Sequence, residues 1–340
     1  MKFKSLFLLV FLAINISVFA YEPGQIKIGA VDNPNDFQFV VMGDRHGGEQ
    51  KGVFDDIVVK VNTLCPAFVL NVGDNIAGYS TDANAIQKMW DIYDESLKKL
   101  NVPYLKVAGN HDITNEIEAK IYEQRFGSAY YFSIYKNVLF LFVNTDDPTA
   151  EIDPKVQQEL NKEKQALKEM AKTQGVTPQG LIKLQQYEEK HRNLDGAKIT
   201  DAQFEFFKKV LADNNNVRWT FVIMHKPVWK QTSPPANWVK LEELLKTRPY
   251  TVFAGHEHVN SYASRNNRDY IVMSTCGGVM PKGLNGVYHH LLLVNVNGSQ
   301  PTISNLMADG IVAKNKIPVN DINNLDVKKL VEEYTGTAKK

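Results

Sequence analysis

The stretch Phe37-Gln38-Phe39-Val40-Val41-Met42-Gly43-Asp44-Arg45-His46 runs six largely apolar residues into a glycine and a charged triplet. A run of this length, bounded by a turn residue, reads as a short buried strand that opens into a loop. The same arrangement recurs four times. Phe68 to Val72 precedes Gly73-Asp74-Asn75, and Tyr104 to Ala108 precedes Gly109-Asn110-His111-Asp112. Thr220 to Met224 precedes His225-Lys226-Pro227, and Tyr250 to Ala254 precedes Gly255-His256-Glu257-His258. Strands whose C-terminal ends all present Asp, Asn or His build one polar rim, the usual ligand position of α/β sheets. Carboxylate, amide oxygen and imidazole without a thiolate form a donor set suited to divalent cations.

Working outward, strand and helix signals alternate up to Asn144: strand 37–42, helix about 50–64, strand 67–72, helix about 83–100, strand 103–107 and helix about 115–125. Such alternation predicts parallel strands with helices on the outside. Tyr130 to Tyr135 and Val138 to Val143, separated by Lys136-Asn137, read as a hairpin. Thr200-Asp201-Ala202-Gln203 opens an amphipathic helix to about Ala212. Strand 217–224, helix 237–247, strand 250–254, hairpin-like strands 259–264 and 269–275, and strands near 288–295 and 301–307 complete the domain. Between about 148 and 197 the composition shifts to Lys, Glu and Gln, with Leu160, Leu167, Met170, Leu181 and Leu184 at near-helical spacing. Gly175-Val176-Thr177-Pro178 interrupts this insertion, which predicts two helices joined by a turn. A solvated helical hairpin, a lid over the rim and a dimerisation arm are all compatible with it.

The N-terminus carries Lys2 and Lys4, an apolar core from Leu6 to Val18, and Val18-Phe19-Ala20 before Tyr21. This is the three-part pattern of a secretory signal over residues 1–20, with an uncleaved anchor as the alternative. It predicts export to a periplasm or the medium, with no stable membrane span once the signal is removed. Residues 21–310 read as one catalytic domain and 311–340 as a tail with a short helix from Ile317. Loss of Lys2 and Lys4 takes the formal net charge from +1 to −1, and no Lys/Arg-dense block is present. That argues against nucleic acid as a partner. Cys65 and Cys276 are the only cysteines; they read as two buried free thiols, with a disulfide as the alternative.

The five motifs, in this order, resemble those of the calcineurin-like metallophosphoesterase superfamily, D-x-H, G-D-x-x-D, G-N-H-D/E, H and G-H-x-H. The resemblance covers roughly residues 37 to 300 apart from the insertion, and rests on the ordered set rather than on any one member. It implies an α/β fold, a four-layer α-β-β-α sandwich of two mixed sheets. It also implies an exported binuclear-metal phosphoesterase that hydrolyses small-molecule phosphomonoesters or phosphodiesters through a metal-bridging hydroxide. A phosphodiesterase acting on cyclic nucleotides or phospholipid-type diesters is the alternative within enzymes, and a non-catalytic metal-binding scaffold the alternative outside them.

Carried over residue by residue, the resemblance assigns Asp44, His46, Asp74 and His258 to one ion and Asp74, Asn110, His225 and His256 to the second, with Asp74 as the bridge. His111 is implied as the acid that protonates the leaving oxygen, with Asp112 placed to accept a hydrogen bond from it and hold its ring. Five of the eight histidines fall on motif positions, a concentration that scattered core or surface histidines do not produce. The donor set does not separate Mn, Fe, Zn, Ni and Co. The second motif departs from the family, because Ala77 stands where a second Asp is common and where purple acid phosphatases place an iron-binding Tyr. Tyr79 comes two residues later, which disfavours a ferric-tyrosinate centre. Arg45 could touch substrate phosphate or face solvent, and Lys226, Trp229 and Trp238 could shape a pocket or simply pack.

Overall fold

The computed structural model describes residues 35–149, 154–174, parts of 177–186, 196–281, 284–298 and 300–311. The signal segment, most of the second insertion helix, His191 and the tail beyond Ile311 lie outside the described residues. Eleven strands are described: β1 (Phe37–Met42), β2 (Val69–Asn71), β3 (Tyr104–Lys106), β4 (Tyr131–Tyr135), β5 (Val138–Val143), β6 (Trp219–Met224), β7 (Tyr250–Ala254), β8 (Ser261–Arg265), β9 (Arg268–Val272), β10 (His290–Asn297) and β11 (Gln300–Met307). The helices are α1 (Val53–Asn62), α2 (Ala83–Leu97), α3 (Glu116–Phe126), α4 (Pro154–Gln174), α5 (Asp201–Asp213) and α6 (Ala236–Leu245).

Successive side chains of a strand point to opposite faces, and in β1 both faces are apolar. Phe37, Phe39 and Val41 pack in one cluster with Phe68, Phe140, Phe221 and Phe253. Val40 and Met42 pack in another with Phe54, Ile57, Trp90 and Tyr93 of α1 and α2. β5 divides the same way, Val138, Phe140 and Phe142 joining the first cluster and Leu139, Leu141 and Val143 a third, against α5 and α6. The first cluster is the layer between two sheets, and the other two lie under the helices. Three apolar layers between four layers of secondary structure make an α-β-β-α sandwich. Phe39 sits at its centre, stacked on Phe68 and edge-on to Phe140 and Phe221.

One sheet has the order β11-β10-β1-β2-β3 and the other β4-β5-β6-β7-β9-β8. β1, β2 and β3 are parallel, as are β5, β6, β7 and β9. β10 and β11 close the first sheet antiparallel, and β4 and β8 do so at the two edges of the second. Both sheets are therefore mixed. The helices begin where short polar side chains satisfy free backbone N–H groups: Asp82 caps α2, Asn115 caps α3 and Thr200 caps α5. α1 starts at Val53, later than the apolar pattern suggests, because Gly52 precedes it in the left-handed region.

The insertion is rooted between β5 and α5. Lys198 donates its N–H to Thr145 and accepts from Asp147 N. Asp146 beside them pairs with the buried Lys226, which directly follows His225. Cys276 is buried, but Cys65 is exposed and both are free, which corrects the expectation of two buried thiols. Cys65 stands in the turn after α1 with φ 48°, a position that apolar content alone does not reveal.

His290 ties the end of one sheet to the rim. Its Nε2 accepts from Ser274 N at 2.8 Å and its Nδ1 donates to Asn305 Oδ1 at 2.7 Å. Burial above all pulls its pKa down to about 4. The unfolded chain takes up a proton near pH 6.5 and the folded chain only near 4, so the neutral ring stabilises the fold above 6.5. That contribution is lost as pH falls through this window, by up to about 3 kcal/mol. Urea unfolding at pH 7 and at pH 4 is expected to show the stability gap between wild type and His290→Gln shrinking at the lower pH.

Candidate metal centre

Each predicted site residue follows the C-terminal end of a parallel strand. Asp44 lies two residues beyond β1, Asp74 three beyond β2, Asn110 four beyond β3, His225 directly after β6 and His256 two beyond β7. The first three strands belong to one sheet and the last two to the other, so the rim straddles both. Backbone bonds lace the loops together: Asp44 N to Gly73 O, His46 N to Asp74 O, Gly255 N to His225 O and Gly278 N to Asp44 O. Five rim residues other than glycine, Asp44, Asp74, Tyr79, His256 and His258, have φ between 53° and 73°. A left-handed backbone costs an L-residue of order 1–3 kcal/mol and persists only where surrounding contacts impose it. Gly109 allows a close approach, since a Cβ there would lie 2.3 Å from Asp74 Oδ1.

Two groups of donors converge. In one, Asp74, His225 and His256 bring ligand atoms within 4.8 Å of one another, and in the other Asp44, Asp74 and His258 do so, with Asp74 common to both. Asn110 completes the first, its Oδ1 lying 3.0 Å from His225 Nε2 and 2.9 Å from His256 Nδ1. His225 Nε2 is 3.1 Å from Asp74 Oδ1. His46 lies beside the second group rather than in it, its Nε2 3.6 Å from the Glu49 carboxylate.

Second-layer bonds fix which ring nitrogen faces inward. His225 Nδ1 donates to Val72 O at 2.8 Å and His258 Nδ1 to Val279 O at 2.6 Å, so Nε2 of each is the nitrogen left to act as a donor atom.

The electrostatics fit a cation. Burial pushes the Asp44 carboxyl well above the usual carboxylate range, and the Asp74 charge adds to the effect. For Asp74, burial acts upward but is outweighed by His225 and His111, which hold it well below that range. Burial would likewise lower His225, yet the Asp74 and Asp44 carboxylates outweigh it and raise the ring to about 10. His46 is lowered to about 3 by burial and by Arg45, and burial also lowers His256 and His258. Neutral imidazoles are the ligating form. Among the described residues Asp44 Oδ2, fully buried, has no hydrogen-bond partner. A buried carboxylate oxygen in that state is costly unless a cation faces it, and this orphaned atom is the direct sign that the donor set fits metal.

Asp112 corrects the sequence reading. Its carboxylate accepts from Asn75 N (2.9 Å), Asn75 Nδ2 (2.7 Å), Ile76 N (3.1 Å) and Gly109 N (2.8 Å). It braces the loops after β2 and β3, whereas His111 Nδ1 bonds Ala77 O at 2.7 Å. Four convergent N–H donors hold a buried carboxylate better than one ring does. Arg45 is buried under the rim, bonded to Asn75 O and Glu49 and lying over the Phe54 and Tyr93 rings; it neither faces solvent nor reaches outward. Lys226, Trp229 and Trp238 are also buried, the two tryptophans in the layer under α5 and α6. Glu257 pairs with Lys230.

Glu49 and Tyr79 belong to the site and were missed. Glu49 pairs with Arg45 at a four-residue spacing that was legible, and its carboxylate lies 3.6 Å from His46 Nε2. Tyr79 Oη accepts from Asn110 Nδ2 at 2.7 Å, and its ring stands edge-on to His111 at 4.8 Å.

The chain belongs to the calcineurin-like phosphoesterase family, which it matches over residues 37–260. Among solved structures it is similar to a dimetal phosphatase from Danio rerio, with 14% identity and a TM-score of 0.54 over 80% of this chain and 96% of that one. It is also similar to the purple acid phosphatase PPD1 from yellow lupin, with 14% identity and a TM-score of 0.52 over 82% of this chain and 52% of the lupin chain. At such identities the likeness is one of fold. No curated protein matches the sequence.

Two outcomes are expected. Because His225 is protonated at pH 7 until an ion takes its Nε2, loading the site should release about one proton or more per chain; calorimetry in two buffers of different ionisation enthalpy reads this directly. Asp112→Asn should cost about 2 kcal/mol or more in denaturant unfolding, because an amide cannot satisfy four N–H donors. Unchanged stability with a rate loss confined to His111 chemistry would restore the orienting role.

Proposed function

We propose that the chain is an exported phosphoesterase with two divalent ions, acting on small-molecule phosphomonoesters or phosphodiesters. The observation that carries this reading is the pair of donor groups sharing Asp74, with the orphaned Asp44 oxygen buried between β1 and β7 loops. Asp44, Asp74 and His258, with His46 beside them, would hold one ion, and Asp74, Asn110, His225 and His256 the other. When bound, such a pair supplies an activated water and offsets charge on the phosphoryl oxygens.

The chain's own residues do the rest. Asp74, common to both donor groups, would lend its carboxylate to both positions. The bonds to Val72 O and Val279 O keep His225 and His258 in the ligating tautomer. His111 bonds Ala77 O through Nδ1, so Nε2 is the nitrogen that, in the doubly protonated ring, would hand its proton to the departing oxygen and leave the ring neutral. Lys230 and Glu257 pair beside the His256-x-His258 turn and would border a substrate bound there. Export rests on the N-terminal pattern of residues 1–20, and fractionation of cells producing the full chain tests it separately. None of the described helices is long and apolar enough to cross a membrane.

The deciding experiment uses chelator-stripped protein re-supplied separately with Mn, Zn, Ni, Co and Fe(II), assayed on p-nitrophenyl phosphate and bis-p-nitrophenyl phosphate with metal counted in parallel. Metal-dependent turnover with about two ions per chain is expected, and the ratio of the two esters separates monoesterase from diesterase. Asp74→Asn should empty both positions and nearly abolish turnover. His111→Ala should keep the ions and lose roughly 10²- to 10⁴-fold in rate, most for poor leaving groups. Two ions without turnover on either ester would favour a scaffold, and no uptake of metal would overturn the reading.

A further inference from the structure

The second motif lacks the family's residue at Ala77, yet the segment that follows is built tightly into the site. His111 Nδ1 bonds Ala77 O, Glu118 Oε1 accepts from Ser80 N at 2.8 Å, and Asn115 Nδ2 donates to Ser80 O at 2.9 Å. Gly78 lies so close to the backbone of His111 that a Cβ would sit 1.6 Å from its carbonyl oxygen. Tyr79 is held between these anchors at φ 57°. A strained backbone fixed on both sides delivers its side chain to one place, and here that place is the outer edge of Asn110.

Asn110 is the one amide among the expected ligands. Its amide has two unlike ends, and only the oxygen can face a cation. In this structure Oδ1 faces His225 and His256, and Nδ2 donates to Tyr79 Oη at 2.7 Å. The Tyr79 ring also lies edge-on to His111, the next residue along. We infer that Tyr79 is a positioning residue for the second ion: its hydroxyl takes up the Nδ2 end of Asn110 and so holds Oδ1 toward the ligand position. The role rests on the two-ion reading of the site. Removal of the hydroxyl leaves the amide without this acceptor and lets it turn its N–H₂ end toward two imidazole nitrogens. Second-layer partners of this kind are worth about 10- to 100-fold in metal affinity.

The test compares wild type with Tyr79→Phe, which keeps the ring and its packing on His111. Mn(II) is titrated into chelator-stripped protein, with stoichiometry and affinity read by calorimetry and the spin-coupled pair signal read by electron paramagnetic resonance. The expected result is one ion bound as in wild type, the second weakened about tenfold or more, and a mononuclear signal where wild type shows a coupled pair. In an Asn110→Asp background either oxygen can face the ion, so adding Tyr79→Phe should cost less. Two ions bound by Tyr79→Phe with wild-type affinities, or an equal loss in both backgrounds, would overturn the role of Tyr79 while leaving the two-ion reading intact. No uptake by wild type would overturn both.

Discussion

Two carboxylates held out of water at the ends of neighbouring strands, Asp44 after β1 and Asp74 after β2, are the constraint on which the rest of this molecule depends. Side by side and desolvated they repel each other, and the chain alone answers the problem poorly. The charge is met by raising the Asp44 carboxyl, by raising His225 to about 10, and by leaving one Asp44 oxygen without a partner among the described residues. Each of these is an expedient that a bound cation would make unnecessary. The cost of assembling the site is carried by the sandwich beneath it, whose three apolar layers fix the strand ends and leave the loops little freedom.

The sandwich and the rim are linked through register. β1 serves two apolar layers at once, so a slip of one residue would exchange Phe39 with Val40 between the inter-sheet layer and the helix layer. The ring cluster around Phe39 resists that exchange, and Asp44 stands a fixed number of residues beyond it. Because β2, β6 and β7 are tied in the same way, donors contributed by two different sheets arrive within 4.8 Å of one another. Buried polar contacts then finish the placement. Asp112 gathers four N–H donors from the β2 and β3 loops, and Arg45 bridges Asn75 and Glu49 under them. These two charged side chains carry structure where residues next to ligands invite a chemical reading.

Much of this was legible in the order of residues. Apolar runs ending in Gly-Asp, Gly-Asn-His or Gly-His give the strand ends and the donors together, since a buried strand and a polar loop differ sharply in composition. The hairpin of β4 and β5, the helix caps at Thr200 and Asn115, and the alternation of parallel strands with helices follow from local chemistry in the same way. The exposure of Cys65, the burial of Arg45 and the packing of Trp229 and Trp238 did not. Whether a side chain near a loop turns inward depends on which distant element covers it, and nothing in the neighbouring residues records that.

By itself, then, the sequence determined the class of fold, the candidate donors and the strands that carry them, because these are set by patterns a few residues long. Only the tertiary structure decided which ring nitrogen each histidine turns inward, that Asp112 serves the loops instead of His111, and that Tyr79 meets Asn110. Those choices are made by hydrogen bonds such as His258 to Val279, Asn110 to Tyr79 and His225 to Val72, whose partners lie 21, 31 and 153 positions apart. A bond of that kind exists only once the strands have been brought side by side.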